Sequence, residues 1–397
     1  MRLIWTLLVA TLALIAYCGR FVSGKDSSEE DEDIFKNLKT CPLGYCVAVH
    51  QCIEGTINDK GVGIIEIRFG DDPIEVDLDN KDPDPCEEFL MKCCARNGTV
   101  PLKPVELTTE KLLPDYGDLN EGTNAVTKSP PLACGQNRPD GYIYKVKNSG
   151  MGQFGEFPWM AALLKRRTLL GIDTSEYICG GSLIHPQVVL TAAHCIKNFT
   201  DALDTLVVRL GEWDTVNENE PLKHENRAVR KLILHENYVE ATAHNDLALL
   251  ILDQQASLNV HINPICLPSA DDNFDEQRCM VSGWGNFDRD GKYAEVLKKI
   301  EVPVIPRKKC KQLFRATILG PFFNLHKSLI CAGGEAGVDT CKGDGGSPLA
   351  CERNGVFVQG GIVAWGIGCG GENVPAAYVS VSKFVDWIKE KMQAENV

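Results

Sequence analysis

His194 stands in Thr191-Ala192-Ala193-His194-Cys195, and Asp246 opens the apolar run Leu247-Ala248-Leu249-Leu250. This pair of residue types can activate a hydroxyl. A serine is a weak nucleophile that must lose its proton as it attacks. A neutral imidazole takes that proton, and a buried carboxylate fixes the imidazole's tautomer. A glycine-rich segment, Asp339-Thr340-Cys341-Lys342-Gly343-Asp344-Gly345-Gly346-Ser347-Pro348, offers Ser347 as the hydroxyl. His244 has no comparable frame and reads as an ordinary polar residue.

The elements that must position these residues read as β. Short apolar runs recur at 182–184, 188–190, 206–210, 247–252 and 356–363, separated by turn residues, which suggests a barrel or sandwich. Only the end departs. Phe384, Trp387 and Ile388 fall at helical spacing after Ser380 and Ser382, two residues suited to capping. One closing helix against a β core is the expected arrangement.

Taken in order, these segments resemble the chymotrypsin family from about residue 146 to 388. So do Cys279-Met280-Val281-Ser282-Gly283-Trp284-Gly285 and Ala364-Trp365-Gly366. The resemblance implies a mostly β fold: a chymotrypsin-like double β-barrel with a C-terminal helix and its active site between the barrels. It assigns His194 as general base and Asp246 as the carboxylate orienting it. It also implies that the nucleophile is missing. The family writes Gly-Asp-Ser-Gly-Gly-Pro where this chain has Gly343-Asp344-Gly345-Gly346-Ser347-Pro348, so Gly345 replaces the serine. Cys341 and Cys351 hold that register. The N–H groups of Gly343 and Gly345 remain available as an oxyanion hole. Such a remnant leaves residual rate over water of about 10³–10⁴-fold in the template case, far below a working protease. Ser347 as a displaced nucleophile is the rival reading. It requires a backbone shift of several ångströms, where a misplacement of about 1 Å already costs roughly 100-fold.

Two further departures follow from the resemblance. Active members free an amine by cutting before Ile or Val, and that amine meets the aspartate preceding the nucleophile, here Asp344. The matching stretch is Lys145-Val146-Lys147-Asn148-Ser149, which would bring Lys147 to a buried end, so the switch reads as lost. Asp339 matches the pocket-floor residue that selects Arg or Lys. Ala364 and Ala376 replace smaller or more polar family residues, which predicts a narrowed pocket.

Residues 1–24 read as a secretory signal peptide: Arg2, an apolar run from Leu3 to Tyr17, then Val22-Ser23-Gly24. The run is shorter than the roughly 20 residues that span a bilayer, and no later stretch is long enough, so no membrane association is expected. Of 17 cysteines, Cys18 lies in that leader, and the even remainder suits a disulfide framework outside the cell. The net charge of −13 argues against nucleic acid. Residues 25–40 form an acidic N-terminal segment. Six cysteines then cluster in 41–94, a proline-bearing linker occupies 95–133, and 134–397 is the protease-like domain. Within the cluster, 65–69 and 74–78 alternate apolar and polar around Gly70-Asp71-Asp72-Pro73, a hairpin pattern.

Six cysteines ending in the adjacent pair Cys93-Cys94, ahead of a protease-like domain, resemble the clip domain of arthropod serine proteases. The resemblance implies Cys41–Cys93, Cys46–Cys86 and Cys52–Cys94 there; cysteine count alone leaves fifteen pairings. It implies Cys134–Cys266, Cys179–Cys195, Cys279–Cys351, Cys310–Cys331 and Cys341–Cys369 in the larger domain. Asn97 and Asn198 head glycosylation sequons. No cofactor is expected to be required. Glu212, Asp214, Asn217 and Glu220 fall in a loop that binds calcium in some relatives, and oxygen ligands suit that ion; an acidic loop without metal is the plainer expectation.

The whole resembles the clip-domain serine protease homologues of insects, and among them the prophenoloxidase-activating cofactor group. That implies a secreted haemolymph protein acting without catalysis in melanisation and innate immunity. The implied partners are prophenoloxidase or phenoloxidase and its activating clip-domain protease, with oligomerisation after cleavage. The alternatives are an active trypsin-like endopeptidase using Ser347, and a protein that recognises microbial surfaces or matrix.

Overall fold

The computed structural model describes residues 133–397 apart from 143–145, 147–149, 170–171, 218–219 and 287–292. Before residue 133 it describes 40–41, 44–48, 52–53, 56–57, 66–68 and 91–94. The signal segment, most of the linker, Asn97, Cys86 and Lys147 lie outside the described residues, as do the side chains of the other five clip cysteines.

Six short strands belong to the cysteine-rich segment: β1 (Thr40–Cys41), β2 (Gly44–Ala48), β3 (Cys52–Ile53), β4 (Thr56–Ile57), β5 (Glu66–Ile67) and β6 (Met91–Cys94). β1, β2 and β6 form one small antiparallel sheet and β3–β4 another. The turn and second strand of the expected hairpin around 70–73 lie outside the described residues. The residues of β5 pair across the molecule with the larger domain, Ile67 opposite Trp365 and Glu66 opposite Gly366.

β7 (Met160–Leu169), β8 (Ile172–His185), β9 (Val188–Thr191), β10 (Leu206–Leu210), β11 (Glu225–Leu234) and β12 (Ala248–Leu252) close into the first barrel. Its central strands are apolar on both faces: every residue of β9 and β12 is buried. β13 (Arg278–Gly283), β14 (Lys298–Ile305), β15 (Leu329–Gly333), β16 (Pro348–Arg353), β17 (Val356–Gly366) and β18 (Pro375–Ser380) form the second, closed by β16 pairing with β17. β5 is a seventh strand laid on the outer end of β17.

Helix α1 (Arg307–Arg315) and the closing helix α2 (Val385–Ala394) pack on this frame. α2 buries Val385 and Ile388. Its Trp387 Nε1 donates to Glu236, beyond the end of β11, at 2.8 Å, so the last element of the chain returns to the first barrel. Ser380 and Ser382 do not cap it. Their hydroxyls face each other at 3.2 Å, and a 3₁₀ turn (Val381–Phe384) intervenes. Among the described residues, no helix is long and apolar enough to cross a membrane.

Five disulfides join described cysteines: Cys134–Cys266, Cys179–Cys195, Cys279–Cys351, Cys310–Cys331 and Cys341–Cys369. The first spans 132 residues and ties the end of the linker to the protease-like domain.

Candidate functional site: a substrate cleft without its nucleophile

Strand pairing brings the histidine to the aspartate. β9 and β12 run antiparallel with Thr191 opposite Ala248, so the turn after β9 and the residue before Leu247 meet at one barrel end. Ala193–Ile196 forms a short helical turn there, pinned by the Cys179–Cys195 bridge and by Thr191 Oγ1 donating to Gly180 O at 2.8 Å. His194 Nδ1 lies 2.6 Å from Asp246 Oδ2, and the His194 backbone N–H donates to Oδ1 at 2.8 Å. Asp246 is fully buried and His194 nearly so. Base and orienting carboxylate therefore keep the geometry of a working dyad.

Opposite them is Gly345. A Cβ placed there would lie 2.7 Å from His194 Nε2, so the imidazole faces the spot a serine would fill. Ser347 is elsewhere. It is fully buried, with its hydroxyl against Gly180 and Gly283 and no hydrogen-bond partner for Oγ. A hydroxyl packed under the loop cannot serve as a displaced nucleophile without rebuilding that loop.

The hole is formed. Gly343 and Gly345 N–H groups point at one acceptor, at 3.1 and 2.9 Å, and Gly343 takes φ +86°, which a side chain disfavours. The acceptor is the backbone carbonyl of Arg68, from the cysteine-rich segment. Arg68 N–H donates to Ala364 O at 3.0 Å, and its side chain enters the pocket, where Nη2 lies 3.3 Å from Asp339 Oδ2. Both side chains are almost fully enclosed, 1% and 5% exposed. The pocket thus accepts an arginine, and the narrowing expected from Ala376 does not prevent it. Gly366 is the reason there is room: a Cβ there would lie 1.8 Å from Arg68 Nη2. Burial pushes the Asp339 carboxyl above its ordinary pKa, with Arg68 partly opposing the shift.

Asp344 has its own cation. Lys298 Nζ, buried, donates to Asp344 Oδ2 and to Asn286 O, each at 2.7 Å. Gly285 N–H and Cys341 N–H complete the carboxylate's partners at 3.0 and 2.9 Å. A lysine inside the barrel thus stands where a freed amine would be needed to hold the loop. Sequence reasoning missed it. The available signal was parity on β14, where Lys298 is in phase with Val302 and Val304, both buried. Arg68 gave no comparable signal.

The acidic loop is internally engaged. Glu212 pairs with Arg209 at 3.0 Å and lies 3.3 Å from His224 Nδ1. Asp214 accepts from Val216 and Asn217, and Glu220 accepts from Asp214 N–H. Among the described residues, three His, Cys, Asp or Glu donor atoms come within 4.8 Å of one another only at Cys179, His194 and Cys195. Two of those atoms are already bonded as a disulfide, so that cluster has no thiolate for a metal. Asn198 is exposed on its 3₁₀ turn.

Comparison with known proteins agrees with this geometry. Residues 148–388 match the family described as Trypsin, and 35–95 match Serine protease Clip domain PPAF-2. Inactive CLIP domain-containing serine protease A28 of Anopheles gambiae is 40% identical over 369 residues, covering 90% of this chain and 91% of that protein. Inactive CLIP domain-containing serine protease A8 of the same mosquito is 38% identical, covering 95% of each. Phenoloxidase-activating factor 2 of Galleria mellonella is 41% identical, over 68% of this chain and 95% of that protein.

Proposed function

This chain belongs to the trypsin family, as a clip-domain, non-catalytic serine protease homologue, and we propose that it is a secreted binding cofactor in prophenoloxidase activation. The observation that carries the reading is Gly345 set among an intact dyad, oxyanion hole and arginine pocket. Everything that binds is kept, and the one atom that would react is gone. Preorganised donors cannot form an acyl-enzyme without a nucleophile. Similarity to phenoloxidase-activating factor 2 supports prophenoloxidase and its activating clip-domain protease as partners.

The test is reconstitution. Prophenoloxidase, an activating clip-domain protease and the purified chain are combined, and phenoloxidase activity is followed. The cofactor reading expects activity to rise with the chain present, and the chain to be captured with prophenoloxidase. No rise and no capture would overturn it, and retention on microbial wall material alone would favour a recognition protein.

A further inference from the structure

The residue in the arginine pocket is the chain's own. Residues 66–68 lie along β17 as a substrate strand would. β5 pairs antiparallel with Trp365 and Gly366, Arg68 N–H bonds Ala364 O, the Arg68 carbonyl fills the oxyanion hole, and its guanidinium meets Asp339. Arg68 Nη1 also reaches Cys369 Sγ at 3.1 Å, and Gly370 N–H donates to Asp339 Oδ2 at 3.1 Å. We propose that the cleft is a receptor for an extended, arginine-bearing peptide, that residues 66–68 are its resident ligand, and that this contact latches the cysteine-rich segment to the second barrel.

Three observations support a built site. First, the contact uses backbone and side chain together, the mode in which strand addition gives affinity and one pocket gives specificity. Second, two glycines make room for it. A Cβ at Gly366 would occupy the guanidinium's place, and a Cβ at Gly345 would lie 2.5 Å from Arg68 O and 3.0 Å from its carbonyl carbon. Third, residue 345 carries no hydroxyl to attack the Arg68 carbonyl. Without the serine, the strand can stay. Glycine at 345 therefore does more than remove activity: it makes lasting occupancy possible.

The latch is also exchangeable. Arg68 Nε and Asp339 Oδ1 are buried without hydrogen-bond partners, so the ion pair is incompletely satisfied. Tethering supplies Arg68 at an effective concentration on the order of millimolar. A partner's arginine strand competes against that, and gains full access once the segment leaves.

The probe is p-aminobenzamidine, an aryl amidine small enough for the pocket, added to the full-length protein and followed by its fluorescence. Arg68→Ala empties the pocket. Its affinity for the probe should exceed the natural protein's by about tenfold or more, because a resident ligand lowers apparent affinity by the fraction of open molecules. Arg68→Ala with Asp339→Asn should lose that gain. Equal binding by the natural protein and Arg68→Ala would overturn the latch. So would absence of binding to Arg68→Ala with its thermal transition intact. Gly366→Val supplies a second readout. It should expose the bond between Arg68 and Phe69 to added trypsin, giving a fragment that begins at Phe69 several-fold faster than the natural protein does. Unchanged cleavage would count against the docked strand. Neither measurement depends on the cascade, so the latch and the cofactor role fail separately.

Discussion

Two buried carboxylates five residues apart in one loop, Asp344 and Asp339, have each acquired an internal cation, and they have done so differently. Asp344 is held by Lys298 of the same barrel at 2.7 Å, with two backbone N–H groups and a second acceptor for the ammonium. Asp339 is held by Arg68, 271 residues away in sequence, at 3.3 Å, with one buried atom on each side unpartnered. By the family resemblance, an active member would meet the first carboxylate with its own freed N-terminal amine and the second with a substrate's side chain. Here the first cation has become a permanent part of the barrel, and the second an occupant that can leave. The loop therefore keeps its active shape while its pocket remains a switchable site.

The largest effect that can test this contrast is all-or-none. If Lys298 alone holds the loop, Gly345→Ser combined with Arg68→Ala should label with a covalent serine-directed probe without any prior cleavage, while the natural protein stays unlabelled. Labelling that appears only after limited proteolysis would show that Lys298 does not replace the freed amine. Labelling of the natural protein at Ser347 would overturn the assignment of a dead site.

Stability comes next. Lys298→Met leaves Asp344 buried without its cation, and breaking a buried pair from one side costs about 3–5 kcal/mol. At roughly 2–4 °C per kcal/mol for a domain of this size, the melting temperature should fall by about 6–20 °C. Arg68→Ala should cost less than about 1 kcal/mol, because the segment can leave and water can rehydrate Asp339. Equal losses from the two variants would erase the distinction between a built-in and an exchangeable cation.

The smallest effect is on pH. Asp339 faces Arg68, Asp344 and Tyr378, and its carboxyl is raised above the ordinary aspartate value mainly by burial. Amidine binding to Arg68→Ala needs the ionised carboxylate. In that variant water reaches Asp339, so binding should weaken as acid approaches the ordinary aspartate range, near 3.9. A group whose folded pKa is raised favours the fold below its unfolded pKa and loses that contribution as pH rises through the folded value. Through Asp339 alone, acid thus empties the pocket without melting the barrel. Fluorescence titration alongside thermal melts from pH 7 down to pH 4 checks both signs; amidine affinity flat across that range would break the assignment of Asp339 as the binding charge.

Much of the site is legible because family motifs are local. Thr191-Ala192-Ala193-His194-Cys195 and the loop from 339 to 348 each carry their own geometry: a turn fixed by a disulfide, and a glycine at positive φ. The closing helix and the missing serine could be read the same way. The serine caps could not, because a 3₁₀ turn separated those residues from the helix. Nor could the pairing of β5 with β17, because alternation says that a segment is a strand without saying which edge it will join.

By itself, the sequence determined that a dyad survives without a nucleophile, since that depends on which residue stands at 345. It also determined that a β core and a cysteine-rich segment would form, since periodicity and cysteine spacing act over short range, while the two barrels came from the family resemblance. Only the tertiary structure decided which cations meet Asp344 and Asp339. In one dimension Arg68 looks like a surface residue, and Lys298 is set apart from one only by its strand parity. They become buried counter-ions because barrel closure and strand addition place them beside carboxylates that are distant in the chain and costly to leave unpaired.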